Sequence, residues 1–120
     1  MLKIDKIQGI LHERYDEFGN FSVYISSMAE YWKFAELFAG EVKWRSGRDL
    51  RNPDGDVISR MQERSARGAL YLNLQWGWDR LEMFNSDGPS HHPVFTMESL
   101  LAIRKLQPIA DSKWEELLWT

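Results

Sequence analysis

Two tryptophans one residue apart stand directly before a run of charged residues in the segment ALYLNLQWGWDRLEMFN, residues 69–85. Tryptophan covers a large contact area at little entropic cost, so such a pair could line a ligand pocket or anchor a protein interface. The alternating leucines before Trp76 place it on a buried face, and Gly77 is the point where the chain can turn outward. We therefore predict that Trp76 belongs to the core and that Trp78 is accessible.

The acidic side chains around this segment suit a partner protein that carries positive charge. Complementary charges across an interface steer association and select the partner. The residues that we predict to bind the partner are Trp78, Asp79, Glu82 and Asp87. A second interpretation stays open, in which Trp76 or Trp78 forms the floor of a small-molecule pocket. The edge of that pocket would be formed by Asp79, Arg80 or His92.

The middle of the chain is its only basic part. Residues 41–68 carry seven basic and five acidic groups, whereas the segments on both sides are net negative. On a helix, Arg60, Arg64 and Arg67 would share one face and could meet phosphates or an acidic partner. Interleaved acids equally fit a plain solvated face, and the total charge of −3 disfavours general affinity for nucleic acid. Nucleic-acid binding through Arg45–Arg67 is therefore the weakest functional hypothesis.

The sequence lacks the residue patterns of the common catalytic and cofactor sites. There is no cysteine, which excludes disulfides, thiolate metal ligands and a cysteine nucleophile. His91 and His92 lack the spacing of a metal site and are expected on an exposed loop. No phosphate-binding glycine motif and no GxSxG elbow occurs. We therefore predict no metal and no cofactor, and an enzyme is the less favoured class, although a catalytic carboxylate pair stays open.

Length and hydropathy predict one cytoplasmic domain that covers residues 1–120. A chain of this length with six tryptophans and 43% hydrophobic residues can bury one core. The N-terminus has no apolar run of signal-peptide length, and no segment approaches the ~18 apolar residues of a membrane span. No membrane association is therefore expected.

The periodicity of apolar residues predicts an α+β fold, with a mainly antiparallel sheet of four or five strands and helices packed on one face. The predicted order is β-β-α-β-α-β-β-α-α. Alternation typical of strands occurs in residues 21–26, 42–45, 69–76 and 80–84. The first segment is ambiguous, because residues 7–26 read as a hairpin turned at DEFGN, while residues 4–15 also fit the spacing of a short helix.

Capping residues mark the predicted helix starts. Ser27 and Glu30 have the spacing of a capping box, and apolar residues at helical spacing follow them. The residues predicted to cap the three later helices are Asp56, Thr96 and Ser112. The segment NSDGPSHHP, residues 85–93, predicts a loop that leads to the helix capped by Thr96.

These features together predict a stoichiometric protein-binding domain that inhibits or neutralises a target protein. A small, aromatic-rich and mildly acidic domain without a catalytic signature fits an immunity protein against a toxin, or a phage-type inhibitor of a defence system. An acidic surface suits a nuclease or another nucleic-acid-binding protein as the target, because it occupies the place of nucleic acid.

Overall fold

A five-stranded mixed sheet and five helices make up the computed structural model, which describes residues 1–15, 18–107 and 109–118. The α+β prediction is confirmed. The elements in chain order are α1 (Ile4–Tyr15), β1 (Phe21–Ile25), α2 (Met28–Phe38), β2 (Lys43–Trp44), α3 (Gly55–Ala66), β3 (Leu70–Trp76), β4 (Leu81–Ser86), β5 (Val94–Thr96), α4 (Met97–Lys105) and α5 (Asp111–Leu117).

The sheet has the strand order β2-β4-β3-β1-β5 and is mixed, so the prediction of a mainly antiparallel sheet is wrong. The central strands β1, β3 and β4 pair antiparallel, whereas each edge strand runs parallel to its neighbour. Alternation identifies a strand but carries no information on its direction. The edge strand β5 has only three residues, which is too few to show alternation. The sequence therefore predicted no strand between the loop and the cap of α4.

One face of the sheet is apolar and joins the helices in a single core. Cross-strand partners such as Phe21 and Leu74, or Leu74 and Met83, lie on the same face. The fully buried helix residues that belong to the same cluster include Ile4, Ile7, Leu11, Phe34, Phe38, Met61, Leu100 and Ile103. Burial of this face explains why the alternating leucines of β3 are a reliable signal of a strand.

The first segment is a helix, so the predicted opening hairpin is wrong and its helical alternative is adopted. Ile4, Ile7 and Leu11 share the buried face of α1, as their spacing allows only in a helix. Part of the predicted DEFGN turn, residues 16–17, lies outside the described residues. Gly19 has φ of +74° and lies so close to α1 that a Cβ atom would be 2.1 Å from the carbonyl oxygen of Gln8. Only glycine fits there.

Two of the predicted caps are confirmed and two are displaced. The hydroxyl of Ser27 accepts a hydrogen bond from the backbone N–H of Glu30 at 3.2 Å, and Thr96 caps α4 in the same way. Asp56 and Ser112 instead lie in the first turns of α3 and α5, whose N-caps are Asp54 and Ala110, two residues earlier than predicted. Acidic and hydroxyl residues are favoured at both the cap and the first turn, so composition alone does not separate the two positions.

The second face of the sheet is closed at its centre by the loop before β5. Ser22 and Asn73 are buried there, and the Ser22 hydroxyl donates to Asn73 Oδ1 at 2.6 Å. Asn73 Nδ2 donates to Ser86 Oγ at 2.7 Å. The backbone N–H groups of Ser90 and His91 donate to the Asn73 and Ser22 side chains, both at 3.0 Å. Hydrogen bonds thereby fix the loop against the sheet, and the His91 ring also packs edge-on against Phe84, with 5.9 Å between the ring centres.

Candidate functional site

The turn between β3 and β4 places Trp78 at the tip of a hairpin. Residues 77–80 form this turn, and the Gly77 N–H donates to the carbonyl oxygen of Arg80 at 2.8 Å. The Trp78 side chain is 100% exposed, and Asp79 beside it is exposed as well. The predicted accessibility of Trp78 is confirmed, and its role in binding stays a prediction.

Trp76 is 47% exposed, so the prediction that it belongs to the core is wrong. The strand phase is correct, since Trp76 pairs with the buried Leu81 on the face that carries Leu74. Trp76 is, however, the last residue of β3 and lies directly before the turn. Its side chain forms one wall of an open groove of about 270 Å³ that also includes Leu81 and Glu41.

The charged side chains of the turn point in different directions. The Arg80 guanidinium lies 3.5 Å from the carbonyl oxygen of Arg45 and packs beside Gly47, away from the tip. A Cβ atom on Gly77 would be 1.8 Å from Glu82 Oε1, so the Glu82 carboxylate lies directly over the glycine. An added Cβ would meet only this flexible side chain, which can move aside, and Gly77 does not have a positive φ. Asp79 is left as the exposed charge of the tip.

The predicted partner-binding residues fall into two places. Trp78, Asp79 and Glu82 lie together at the tip, whereas Asp87 directly follows the other end of β4. The six residues of β4 span about 20 Å at the usual rise per residue of a strand. One small contact surface therefore includes the first three residues and leaves Asp87 at its margin or outside it.

The geometry gives little support to a tryptophan-floored pocket. Trp78 is fully exposed and forms no floor. The groove beside Trp76 is smaller than the ~300–1,000 Å³ of typical small-molecule sites, and its lining does not include Arg80 or His92. Within the described parts of the chain, no three His, Asp or Glu side chains are grouped closely enough to hold a metal ion.

The structure separates the three arginines of the predicted basic patch. Arg60 and Arg64 line a cleft between α3 and β4 together with Arg45, which the sequence did not associate with them. Arg67 caps the C-terminus of α3 and is not part of the lining. Helical spacing predicts that Arg60 and Arg64 share a face of α3. Arg45 reaches the same cleft because β2 pairs with β4, which the sequence did not predict.

Two other arginines of this region are neutralised by nearby acids. Arg48 lies 2.9 Å from Asp54, and Arg51 lies 3.0 Å from Asp49. Hydrogen bonds from the Arg51 side chain and backbone lower the pKa of Asp49 to about 2. Two of the acids interleaved in this region, Asp49 and Asp54, therefore pair with Arg51 and Arg48.

A larger groove of about 760 Å³ lies between α1 and the segment that leads into α5, and no sequence signal pointed to it. Trp114 and Ile10 contribute apolar surface to it. Arg14 Nη1 lies 2.9 Å from Asp111 Oδ1 at the same groove and joins its two sides. The groove is open to solvent.

No family model matches the chain, and comparison with curated proteins and with solved structures finds no significant similarity. Function is therefore inferred from the chain's own residues and their geometry. Among the helices of the described residues, none combines the length and the apolar character needed to cross a membrane.

Proposed function

We propose that this chain is a stoichiometric protein-binding domain that inhibits or neutralises a target protein, as an immunity protein or a phage-type inhibitor of a defence system does. The observation that carries the proposal is the complete exposure of Trp78 at the tip of the β3–β4 hairpin. A tryptophan that is fully in water gains more from burial in a partner than almost any other side chain, and tryptophan is enriched among binding hot spots.

The hairpin presents Trp78 in a defined position. β3 and β4 pair over six residues of β3, and the turn is closed by the hydrogen bond between Gly77 and Arg80. Leu74 and Leu81 hold the base of the hairpin in the core. A hairpin backbone that is already ordered loses less entropy on binding than a mobile loop does, which favours affinity.

The surface next to the tip is large enough to extend the contact. The groove at Trp76 continues past Leu81 into a second groove of about 420 Å³, and both share Gly40 and Glu41. A stable interface buries about 800 Å² on each partner, which requires more than one exposed side chain. Trp78 as the central anchor with Trp76 beside it fits such a contact.

Charge favours a target with a basic surface. At the tip itself Asp79 is exposed and Glu82 lies close behind it, whereas Arg80 is directed toward Arg45 and lines the second groove. Acidic groups around an aromatic anchor speed association with a basic partner and disfavour acidic ones. A nuclease or another nucleic-acid-binding protein is the class of target that presents such a surface.

The proposal is tested by affinity purification of the intact chain from its native host. The activity of the captured protein is then measured at increasing molar ratios of this chain to that protein. We expect a stoichiometric partner whose activity is lost at a ratio near one to one. Trp78→Ala should weaken binding by about 2 kcal/mol or more, as for a hot-spot tryptophan.

Trp32→Ala is the matched control, because Trp32 is 40% exposed on α2, outside the hairpin. It should leave partner affinity unchanged. Absence of a stoichiometric partner, or equal loss of affinity in both variants, would contradict the proposed function.

A further inference from the structure

Three arginines contribute to the lining of a cleft of about 230 Å³ between α3 and the edge of the sheet formed by β4 and β2. Arg60 and Arg64 are one helical turn apart on α3, and Arg45 directly follows β2. Their place in one lining depends on three elements that are distant in sequence. The cleft is therefore a product of the fold and not of one charged helix face.

Two of these arginines are positioned by neutral groups. The Arg45 guanidinium carbon lies 4.1 Å from the centre of the Phe84 ring, a cation–π contact. Arg64 Nη1 donates a hydrogen bond to the side-chain oxygen of Asn85. An aromatic ring and an amide hold a guanidinium in place without neutralising its charge, whereas a carboxylate would do both.

Acidic side chains do not neutralise the cleft. Asp54 is the one acid in the lining, and it lies 2.9 Å from Arg48 Nη1. In residues 1–15, 18–107 and 109–118, no salt bridge connects Arg45, Arg60 or Arg64 with a carboxylate. Three arginines thus line one cleft, and none of them has a salt-bridge partner among the described residues.

We propose that this cleft binds the phosphomonoester group of a phosphorylated ligand. A phosphomonoester carries close to two negative charges at neutral pH and several acceptor oxygens, which match several guanidinium donors better than a single carboxylate does. The cleft is below the ~300–1,000 Å³ of sites that enclose a whole small molecule, so it fits one anionic group of a larger ligand.

The observations favour a phosphomonoester over nucleic acid. A nucleic-acid surface tracks a repeating backbone with a continuous basic stripe, whereas Arg67 lies outside the lining and the chain has a net charge of −3. The site is independent of the proposed function, because its residues differ from those of the Trp78 tip and it binds a single phosphomonoester group.

The test is a nuclear magnetic resonance titration of the intact ¹⁵N-labelled chain at physiological ionic strength. The probes are ribose 5-phosphate and a short peptide that contains phosphoserine, which distinguish a small metabolite from a modified protein as the source of the group. We expect saturable shifts of the Asn85 side-chain amide and of the guanidinium N–H signals of Arg64. The probe that binds more tightly identifies the source.

Arg60→Gln is the informative variant, because Arg60 is exposed and its replacement leaves the core unchanged. It should raise the Kd by about tenfold or more, as expected for the loss of a charge-assisted hydrogen bond. Arg67→Gln removes the same charge from the same helix outside the cleft. Screening by salt should keep its effect on the Kd within about twofold.

Several outcomes would overturn the proposal. One is the absence of saturable shifts with both probes. Another is an equal change of the Kd in Arg60→Gln and Arg67→Gln. A third is that acetate binds as tightly as the phosphorylated probes. A single-stranded oligonucleotide that binds more tightly than both probes and loses affinity in Arg67→Gln would also overturn it, in favour of a nucleic-acid surface.

Discussion

The side chains of Trp76 and Trp78 differ in how much of the fold depends on them. Trp78 is fully exposed, whereas about half of the Trp76 surface is buried. The free energy lost on truncation scales with the apolar area that becomes exposed or empty. The two residues therefore separate stability from binding within one short segment.

We predict that Trp78→Ala leaves the free energy of unfolding within about 0.5 kcal/mol of the native value, as for other surface substitutions. Trp76→Ala should lower it by about 2 kcal/mol, because about half of a large aromatic side chain is buried. Urea unfolding of both variants measures the difference. A larger loss for Trp78→Ala than for Trp76→Ala would show that the tip packs against the rest of the molecule.

At the scale of elements, the loop before β5 depends on Asn73 of β3. The Asn73 side chain receives hydrogen bonds from Ser22 and Ser90 and donates one to Ser86, all on the second face of the sheet. A buried polar group that loses its partner costs more than the bond itself contributed. One amide therefore holds β1, β3, β4 and the loop together.

We predict that Asn73→Ala lowers the free energy of unfolding by about 2–3 kcal/mol, since several buried donors and acceptors lose their partner at once. Hydrogen exchange should also become faster in residues 87–93. Gln75→Ala is the matched control, because Gln75 lies on the same face of the same strand but is partly exposed. If exchange in the loop were equally fast in both variants, the loop would not depend on the Asn73 amide.

On the scale of the whole molecule, Glu41 connects elements from both halves of the chain. Glu41 Oε1 accepts a hydrogen bond from the backbone N–H of Ile4 at 2.9 Å, and Oε2 lies 2.6 Å from Arg104 Nη1. Arg104 also lies over the Phe38 ring at 4.4 Å, and its carbonyl oxygen accepts from the Leu2 N–H. The start of α1, the end of α2 and the end of α4 thus meet at one ion pair.

We predict that Glu41→Ala lowers the free energy of unfolding by about 3 kcal/mol, because it leaves the mostly buried Arg104 without its carboxylate. Glu36→Ala is the control, since Glu36 is an exposed acid on α2. Thermal and urea unfolding of both variants measure the effect. A difference below about 0.5 kcal/mol between the two variants would mean that water replaces the carboxylate at Arg104.

Local signals in the sequence determined most elements of this protein. The leucines of β3 alternate because one face of that strand is buried, and Ser27 and Thr96 cap their helices through contacts within three residues. The capping contacts are complete within a short segment, and the periodicity of the leucines can be recognised within one as well. The α+β class, the central strands and the exposure of Trp78 after Gly77 could therefore be predicted.

The tertiary structure alone decided the features that depend on distant segments. The parallel edge strands, the half-exposed position of Trp76 and the meeting of Arg45 with the arginines of α3 all result from how elements pack on one another. Periodicity reports which side of a strand a residue occupies, but not where the covering helices end or which strand lies beside it. Depth of burial and the partners of a charge are set by long-range contacts, which a local pattern does not contain.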